Sequence, residues 1–364
     1  MDRHDISEEV TAGIVAQMHM QDLKVEHKFN CRGLTYWFDE KRKTAFCLVE
    51  APNEKNIQEM HNYAHGEVPH VIIEVDANIV ESFLGRIEDP TKEKDTDLNI
   101  INDPALRIIM VLRLKNLALI RNEQKESNAS FEDYNESIVE IFNSLNGRIV
   151  KQDKAGFIIS FESVSNAVMG ALKVQSKLRG LVNENDNTYI NLKIGLSAGL
   201  PVTESKTIFE DTIKLAERLC SVANNIIVLS SEVKDLYMNE NLNTIINKSE
   251  VLALTTSEEA FINHLMDFIE KEWENTDLKV ADFNKPLGVS KSQLYRKMIL
   301  MMGVSPNNFL REYRLNRAWE LINKKTLNIS EIAYNTGFSS LSYFSKCFLK
   351  HYGILPSDYQ QTVE

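Results

Sequence analysis

At 364 residues, with 43% hydrophobic and 26% charged residues, the chain is too long for one ordinary core and reads as a globular protein of two or three domains. Its longest apolar runs, such as Ile108–Leu112, fall far short of the ~20 residues a membrane span needs. No apolar stretch follows Met1-Asp2-Arg3-His4-Asp5, and Cys31, Cys47, Cys220 and Cys347 form no CxxC pair, so a cytoplasmic protein without a disulfide framework or membrane contact is expected. The net charge of −11 argues against a uniformly basic DNA binder, but the acid excess lies upstream of residue 258. Between Lys285 and Lys325 the basic residues Lys291, Arg296, Lys297, Arg311, Arg314, Arg317 and Lys324 join those two, opposed only by Glu312 and Glu320. Such a stretch supplies a local basic face for DNA, although charge alone also fits a solvated helix.

Two breaks divide the chain. Glu88–Asp95 is charged and poor in apolar residues, and Thr255–Glu259 is polar and ends in a helix-capping pattern. They predict domains at 1–88, 100–250 and 258–362. In the first, a short strand at Met1–Ile6 precedes a helix over Glu8–Phe29. Gly33–Asp39 and Thr44–Glu50, rich in aromatic and β-branched residues, pair across a charged turn. A helix over Asn53–His65 follows Pro52, and His70–Asp76 alternates as a strand. The order βαββαβ is a ferredoxin-like plan. The second domain repeats it: strand Arg107–Leu112, helix Phe131–Leu145, strands Arg148–Gln152 and Phe157–Phe161, helix Ser165–Arg179 and strand Asn191–Leu200. Helix Ile208–Ser221 and strand Asn225–Leu229 complete it. The fold class expected is α+β: two ferredoxin-like α/β sandwiches followed by an all-α double helix-turn-helix domain.

In the third domain Leu287-Gly288-Val289-Ser290 makes a tight turn before a helix over Ser292–Met298. Thr336-Gly337-Phe338-Ser339 does the same before Leu341–Leu349, after a helix opened by Ile329-Ser330, with Ser330 as its cap. A long helix, Pro306–Asn323, joins the two units. Arg314–Ile322, Ile329–Phe338 with Ser342–Phe348, and His351–Tyr359 together resemble the AraC family of transcription regulators over some hundred residues. The resemblance implies double-stranded DNA as partner. Lys291, Ser292, Gln293 and Arg296 of the first unit, and Ser340, Leu341, Tyr343 and Lys346 of the second, are the residues expected to reach bases or phosphates. Pro286 departs from the family pattern, because a proline inside the first short helix distorts it.

The second domain resembles a class III nucleotidyl cyclase over roughly 106–235, on Leu145–Lys151, Phe157–Ala171, Lys193–Gly199 and Ala216–Leu219. That family holds two metal ions on two aspartates. Here Arg113 and Ala155 stand at those positions and Lys214 where an asparagine partners Arg218, with Asp153 a single leftover carboxylate. Catalysis is not expected; a homodimer or a relay is, and nucleotide binding by Lys154 and Arg113 is the alternative.

Five of eight histidines fall in the first 65 residues. His61 and His65, four apart on a predicted helix, share a face at chelating distance, an arrangement that also fits a solvated face. The text around them, with His19–Leu23, Thr35–Asp39 and Phe46–Pro52, resembles a family of small ferredoxin-like proteins of which some bind nickel. That resemblance implies His4, His19, His61 and His65 as ligands, with Cys47 as a thiolate or a buried strand cysteine. The metal expected is nickel first, then zinc or copper. The reading is a DNA-binding regulator with an N-terminal sensor for a metal or small-molecule effector. The rivals are a cyclase or nucleotide-binding protein fused to a DNA-binding domain, and a metal-sequestering protein.

Overall fold

The computed structural model describes residues 1–91, 98–116, 125–153, 156–181, 190–223, 225–242 and 246–363. By backbone proximity the chain divides into two compact units: residues 1–111, 142–168 and 196–216, and residues 112–141, 169–195 and 217–364.

The first sheet is built from β1 (Asp2–Asp5), β2 (Arg32–Asp39), β3 (Thr44–Glu50) and β4 (Val71–Ile72), in the order β2-β3-β1-β4. Helices α1 (Ala12–Val25) and α2 (Glu54–Ala64) complete the βαββαβ order, and a 3₁₀ turn over Glu26–Phe29 takes the end of the longer helix expected there. β1 lies between β3 and β4, antiparallel to both. Alternation along the strands puts Tyr36, Phe38, Ala45 and Cys47 in one cluster with Val15 and Ala16 of α1. Their neighbours Trp37 and Phe46 are fully buried too, so both faces of this sheet are covered.

β4 is shorter than the His70–Asp76 strand expected. Only Val71 and Ile72 pair, opposite Arg3 and Asp2. Asp76 then ends the extended run, because its carboxylate accepts hydrogen bonds from the amides of Asn78 and Ile79 and starts a helix. That helix, α3 (Ala77–Leu84), was not expected from the sequence. It packs on the second sheet: Ser160 Oγ donates to the Phe83 carbonyl at 2.9 Å, and the Phe83 ring lies 5.0 Å from Phe209.

The second sheet contains β5 (Arg107–Asn116), β6 (Arg148–Asp153), β7 (Gly156–Phe161), β8 (Ile190–Gly199), β9 (Ile227–Leu229) and β10 (Val251–Ala253), in the order β10-β9-β8-β5-β7-β6. Its helices are α4 (Lys125–Ser144), α5 (Val164–Leu181), α6 (Glu210–Val222) and α7 (Ser231–Glu240). The portion β8-β5-β7-β6 has the strand order of the first sheet, as the repeated element order predicts. α7 and β10 extend it; β10 runs parallel to β9, and a parallel pair requires a crossover such as α7.

The remainder is helical: α8 (Thr256–Glu272), α9 (Asn284–Leu287), α10 (Lys291–Met302), α11 (Pro306–Lys324), α12 (Ile329–Asn335), α13 (Leu341–Tyr352) and α14 (Pro356–Val363). Thr255 and Glu258 form a capping box at α8. Pro286 lies in α9, a single turn preceded by a 3₁₀ turn at Val280–Phe283 and stopped by Gly288 at φ +61°. The cap of α12 is Asn328, not Ser330, since Asn328 accepts from the Glu331 amide while Glu331 reaches back to the Asn328 amide. Phe338, Phe344 and Phe348 are buried with Leu315, Ala318, Ile332 and Tyr352 in one core.

Gly337 makes the turn of the second unit at φ +77°, where an added Cβ would come 2.5 Å from the Trp273 carbonyl oxygen. Gly337→Ala is expected to destabilise this unit by about 2 kcal/mol or more, since the left-handed backbone alone costs about 1–2 kcal/mol for other residues. Urea unfolding would read it as a lowered midpoint; an unchanged midpoint would contradict this account of the turn.

Candidate metal centre and nucleic-acid interface

The expected histidines converge on one pocket under α1 and α2, lined among others by His4, His19, Asp22, Cys47, His61 and His65. β1 and β3 deliver His4 and Cys47, and α2 with its C-terminal cap residue delivers His61 and His65. Two donor clusters share His61. Asp2, His4, Cys47 and His61 form one, and Asp22, His61 and His65 the other, with ligand atoms in each within 4.8 Å of one another.

Asp2 and Asp22, which sequence reasoning missed, organise both. His61 Nε2 lies 3.3 Å from Asp2 Oδ2, and its Nδ1 lies 3.1 Å from Asp22 Oδ1. His65 Nε2 lies 3.3 Å from His61 Nδ1 and from Asp22 Oδ2. The Cys47 amide donates to Asp2 Oδ1 at 3.1 Å. Asp2 is fully buried and His61 is 1% exposed. The available signal was position: Asp2 is two residues from His4 on a strand, and Asp22 is three from His19 on a helix, so each is carried to the face its histidine serves. His27, the fifth histidine of this segment, is exposed.

Burial alone would raise the Asp2 and Asp22 carboxyls and lower the His61 imidazole, but mutual attraction overrides it. The imidazoles of His4 and His61 hold Asp2 far below the usual carboxylate range, and His61 and His65 hold Asp22 low. His61, between two carboxylates, is pushed up to about 10. Cys47 is pushed well above its ordinary value by burial and then by Asp2 and Asp22, so in this state it is a thiol. His4 Nε2 is buried, lies 3.4 Å from Asp2 Oδ1, and meets no partner in hydrogen-bonding geometry. Imidazoles, two carboxylates and a thiol around an ill-satisfied ring nitrogen fit a divalent transition metal. His19 lines the same pocket but joins neither cluster; its Nε2 faces Asp89 Oδ2 at 3.1 Å.

In the helical segment, α10 and α13 are built alike. Each follows a serine cap (Ser290, Ser340), buries the fourth and eighth residues after it (Leu294 and Met298; Phe344 and Phe348), and ends on a left-handed glycine (Gly303, Gly353). Lys291, Ser292 and Arg296 are exposed on α10, as are Leu341, Tyr343 and Lys346 on α13. Gln293 and Ser340 are employed in capping: Gln293 Oε1 accepts from the Ser290 amide at 2.8 Å, and Ser340 Oγ from the Tyr343 amide. Ser342, equivalent to Ser292, and Tyr295 are exposed on these helices too.

Arg113 lies 3.6 Å from Glu217, and Lys154 and Ala155 fall outside the described residues. Arg218 is 6% exposed and its guanidinium bonds Glu270, Asn263 and Asp267, all on α8. Asp153 Oδ1 accepts from the Gly156 amide. No helix among the described residues is long and apolar enough to cross a membrane.

Comparison with known proteins finds matches at both ends of the chain. Residues 285–362 match the family described as "Helix-turn-helix domain", and residues 1–75 match "Nickel responsive protein SCO4226-like". Each of these matches covers about a fifth of the chain, one at either end. The chain is 25% identical over 334 residues, 84% of its length, to Histidine kinase P4 of Formosa agariphila. It is 33% identical over 100 residues, 28% of its length, to the HTH-type transcriptional regulator MtrA of Neisseria gonorrhoeae. It spans 24% and 32% of those two relatives. An adenylate/guanylate cyclase/hydrolase from Silicibacter pomeroyi aligns with 37% of this chain and 80% of its own at 23% identity, with a TM-score of 0.32.

His61 takes up its extra proton affinity on folding, so its contribution to metal-free stability is complete below its ordinary value of 6.5 and is lost as pH rises towards about 10. Asp2 and Asp22 work in the opposite direction, contributing above their ordinary 3.8 and losing it on acidification. Denaturant unfolding of the metal-free protein should therefore show stability declining from pH 6.5 to 10. A His61→Gln variant should lack that decline; a decline of equal size in the variant would place its origin elsewhere.

Proposed function

We propose that the chain is a sequence-specific DNA-binding transcription regulator whose N-terminal pocket senses a transition metal, nickel first and zinc or copper next. The DNA-binding half rests on one observation: α10 and α13 carry the same cap, buried positions and glycine stop, and so present the same face twice. A helix presented that way enters the major groove, and two such helices read two successive stretches of one duplex. Lys291, Ser292 and Arg296 then face the first stretch, and Leu341, Tyr343 and Lys346 the second. Arginine suits bidentate contact with guanine, and lysine and serine near helix starts suit phosphates. Gln293 and Ser340 support those helices by capping them.

The domains on this reading are 1–88, the sensor; 100–250, a cyclase-like relay that also forms the homodimer; and 258–362, the DNA reader. Both sheets are ferredoxin-like. The chain is not an enzyme and acts in the cytoplasm. Arg113 at the first metal position, and Arg218 engaged on α8, support a middle domain that has given up nucleotide cyclisation.

His4, His61, His65, Asp2 and Asp22 would hold the metal, with Cys47 joining once a cation lowers its pKa. When bound, a metal would supply a fixed positive charge among these carboxylates and imidazoles. His61 and His65 orient the donors and the surrounding burial excludes water.

Titrating the full chain with nickel, zinc and copper by calorimetry tests the sensor; His61→Ala/His65→Ala should weaken binding at least a hundredfold. Equal affinity in the variant would remove the site. For the reader, duplexes selected from a random pool should lose roughly tenfold in affinity with Arg296→Ala, given ~1–3 kcal/mol for a bidentate base contact. Lys346→Ala should lower the salt slope by about one. Failure to select any sequence would leave non-specific binding only.

A further inference from the structure

We propose that Arg218 is a positioning residue for DNA reading: it holds α8, and through α8 it sets where the first reading helix, α10, stands relative to the second. The inference rests on the DNA-binding reading above. Arg218 lies on α6 and is 6% exposed, yet its guanidinium directs its donors at α8. Nε and Nη2 lie 3.1 and 2.7 Å from the two carboxylate oxygens of Glu270. Nη2 also bonds Asp267 Oδ1 at 2.5 Å, and Nη1 bonds Asn263 Oδ1 at 3.0 Å. Positions 263, 267 and 270 follow helical spacing, so the three acceptors form one stripe of α8. A guanidinium fork paired with a carboxylate fixes orientation as well as distance. A second fastening lies at the start of α8, where Glu259 Oε2 accepts from the amide and hydroxyl of Ser231, the first residue of α7, at 2.7 and 2.9 Å. Residues 217–364 fall within one compact unit, Arg218 and α8 included.

The remainder of α8 packs into the helical segment. Lys297 of α10, next to Arg296, lies over the Phe261 ring with Nζ 4.8 Å from its centre. The Phe268 ring meets Phe283, just before α9, at 4.9 Å. At the end of α8 the Trp273 carbonyl accepts from Arg314 Nε of α11 at 2.8 Å. α8 thus touches the first reading unit and the helix that joins both units, while Arg218 and Ser231 tie it to α6 and α7. Two reading helices bind one duplex most tightly when their spacing is already set, because the second contact then forms at high effective concentration. Lys291, Ser292 and Arg296 stay exposed while the fork is closed. Docking therefore leaves the first reading face open, and the fork prepares that face instead of blocking it. Linkage makes the effect reciprocal: a duplex that needs this spacing tightens the fork.

The test uses the full chain and two duplexes: one selected from a random pool, and the same duplex with the stretch that senses Arg296→Ala scrambled. Arg218→Gln should weaken binding to the selected duplex about tenfold and to the scrambled one less than about twofold, since only the first needs both helices in register. Asp267→Asn/Glu270→Gln should reproduce that split from the α8 side. All three substitutions together should cost no more than either set alone, the sign of one shared contact. In hydrogen exchange, the selected duplex should slow peptides spanning 217–222 about threefold in the wild type and not in Arg218→Gln. Wild-type affinity in Arg218→Gln, tighter binding there, equal loss on both duplexes, additive losses, or exchange in 217–222 indifferent to DNA would each overturn the proposal while leaving the DNA reading intact. A wild type that selects no duplex would bring down that reading, and this inference with it.

Discussion

His61 sits buried between two buried carboxylates, and the first module is arranged around that fact. An isolated charge at such depth is untenable, so each of the three groups needs the other two. Asp2 arrives on β1, Asp22 on α1 and His61 on α2, which means that strand and both helices must dock correctly before any of the charges is compensated. Asp2 also accepts from the Cys47 amide on β3, tying the cluster to the neighbouring strand. The same constraint that orders the module thus gathers nitrogen, oxygen and sulfur donors in one place. Asp2 and Asp22 in turn raise the proton affinity of His61.

The helical segment solves a different problem with local means. Serine caps, buried fourth and eighth positions and glycine stops recur in α10 and α13 because each helix must begin and end abruptly to present a short, exposed face. Position-matched side chains differ: Arg296 against Lys346, and Lys291 against Leu341. The first unit offers more positive charge, and the second offers apolar and hydroxyl surface. In the middle segment the Arg218 side chain bonds Asn263, Asp267 and Glu270 along one face of α8.

Much of this was legible in the order of residues. Alternation in Thr44–Glu50 marked β3, whose bounds match those observed, and the twice-repeated βαββαβ order predicted a strand order that both sheets share. The i, i+4 spacing of His61 and His65 placed two donors together. α3, α7 and β10 were missed, and Ser330 was taken for a cap that Asn328 provides. His19 shows the limit of a resemblance: it reaches the expected pocket, but its bonding partner is a residue seventy positions away.

By itself the sequence determined what depends on neighbours in the chain: strand alternation, helix caps, the turn at Gly337 and the repeated helix-turn-helix spacing. These follow from backbone sterics and hydrogen bonds that close within a few residues. Only the tertiary structure decided that Asp2 and Asp22 flank His61, that Arg218 turns to α8, and that Asp89 holds His19. Each joins groups 39 to 70 residues apart and depends on burial, because attraction between charges overrides solvation only where folding has removed the water.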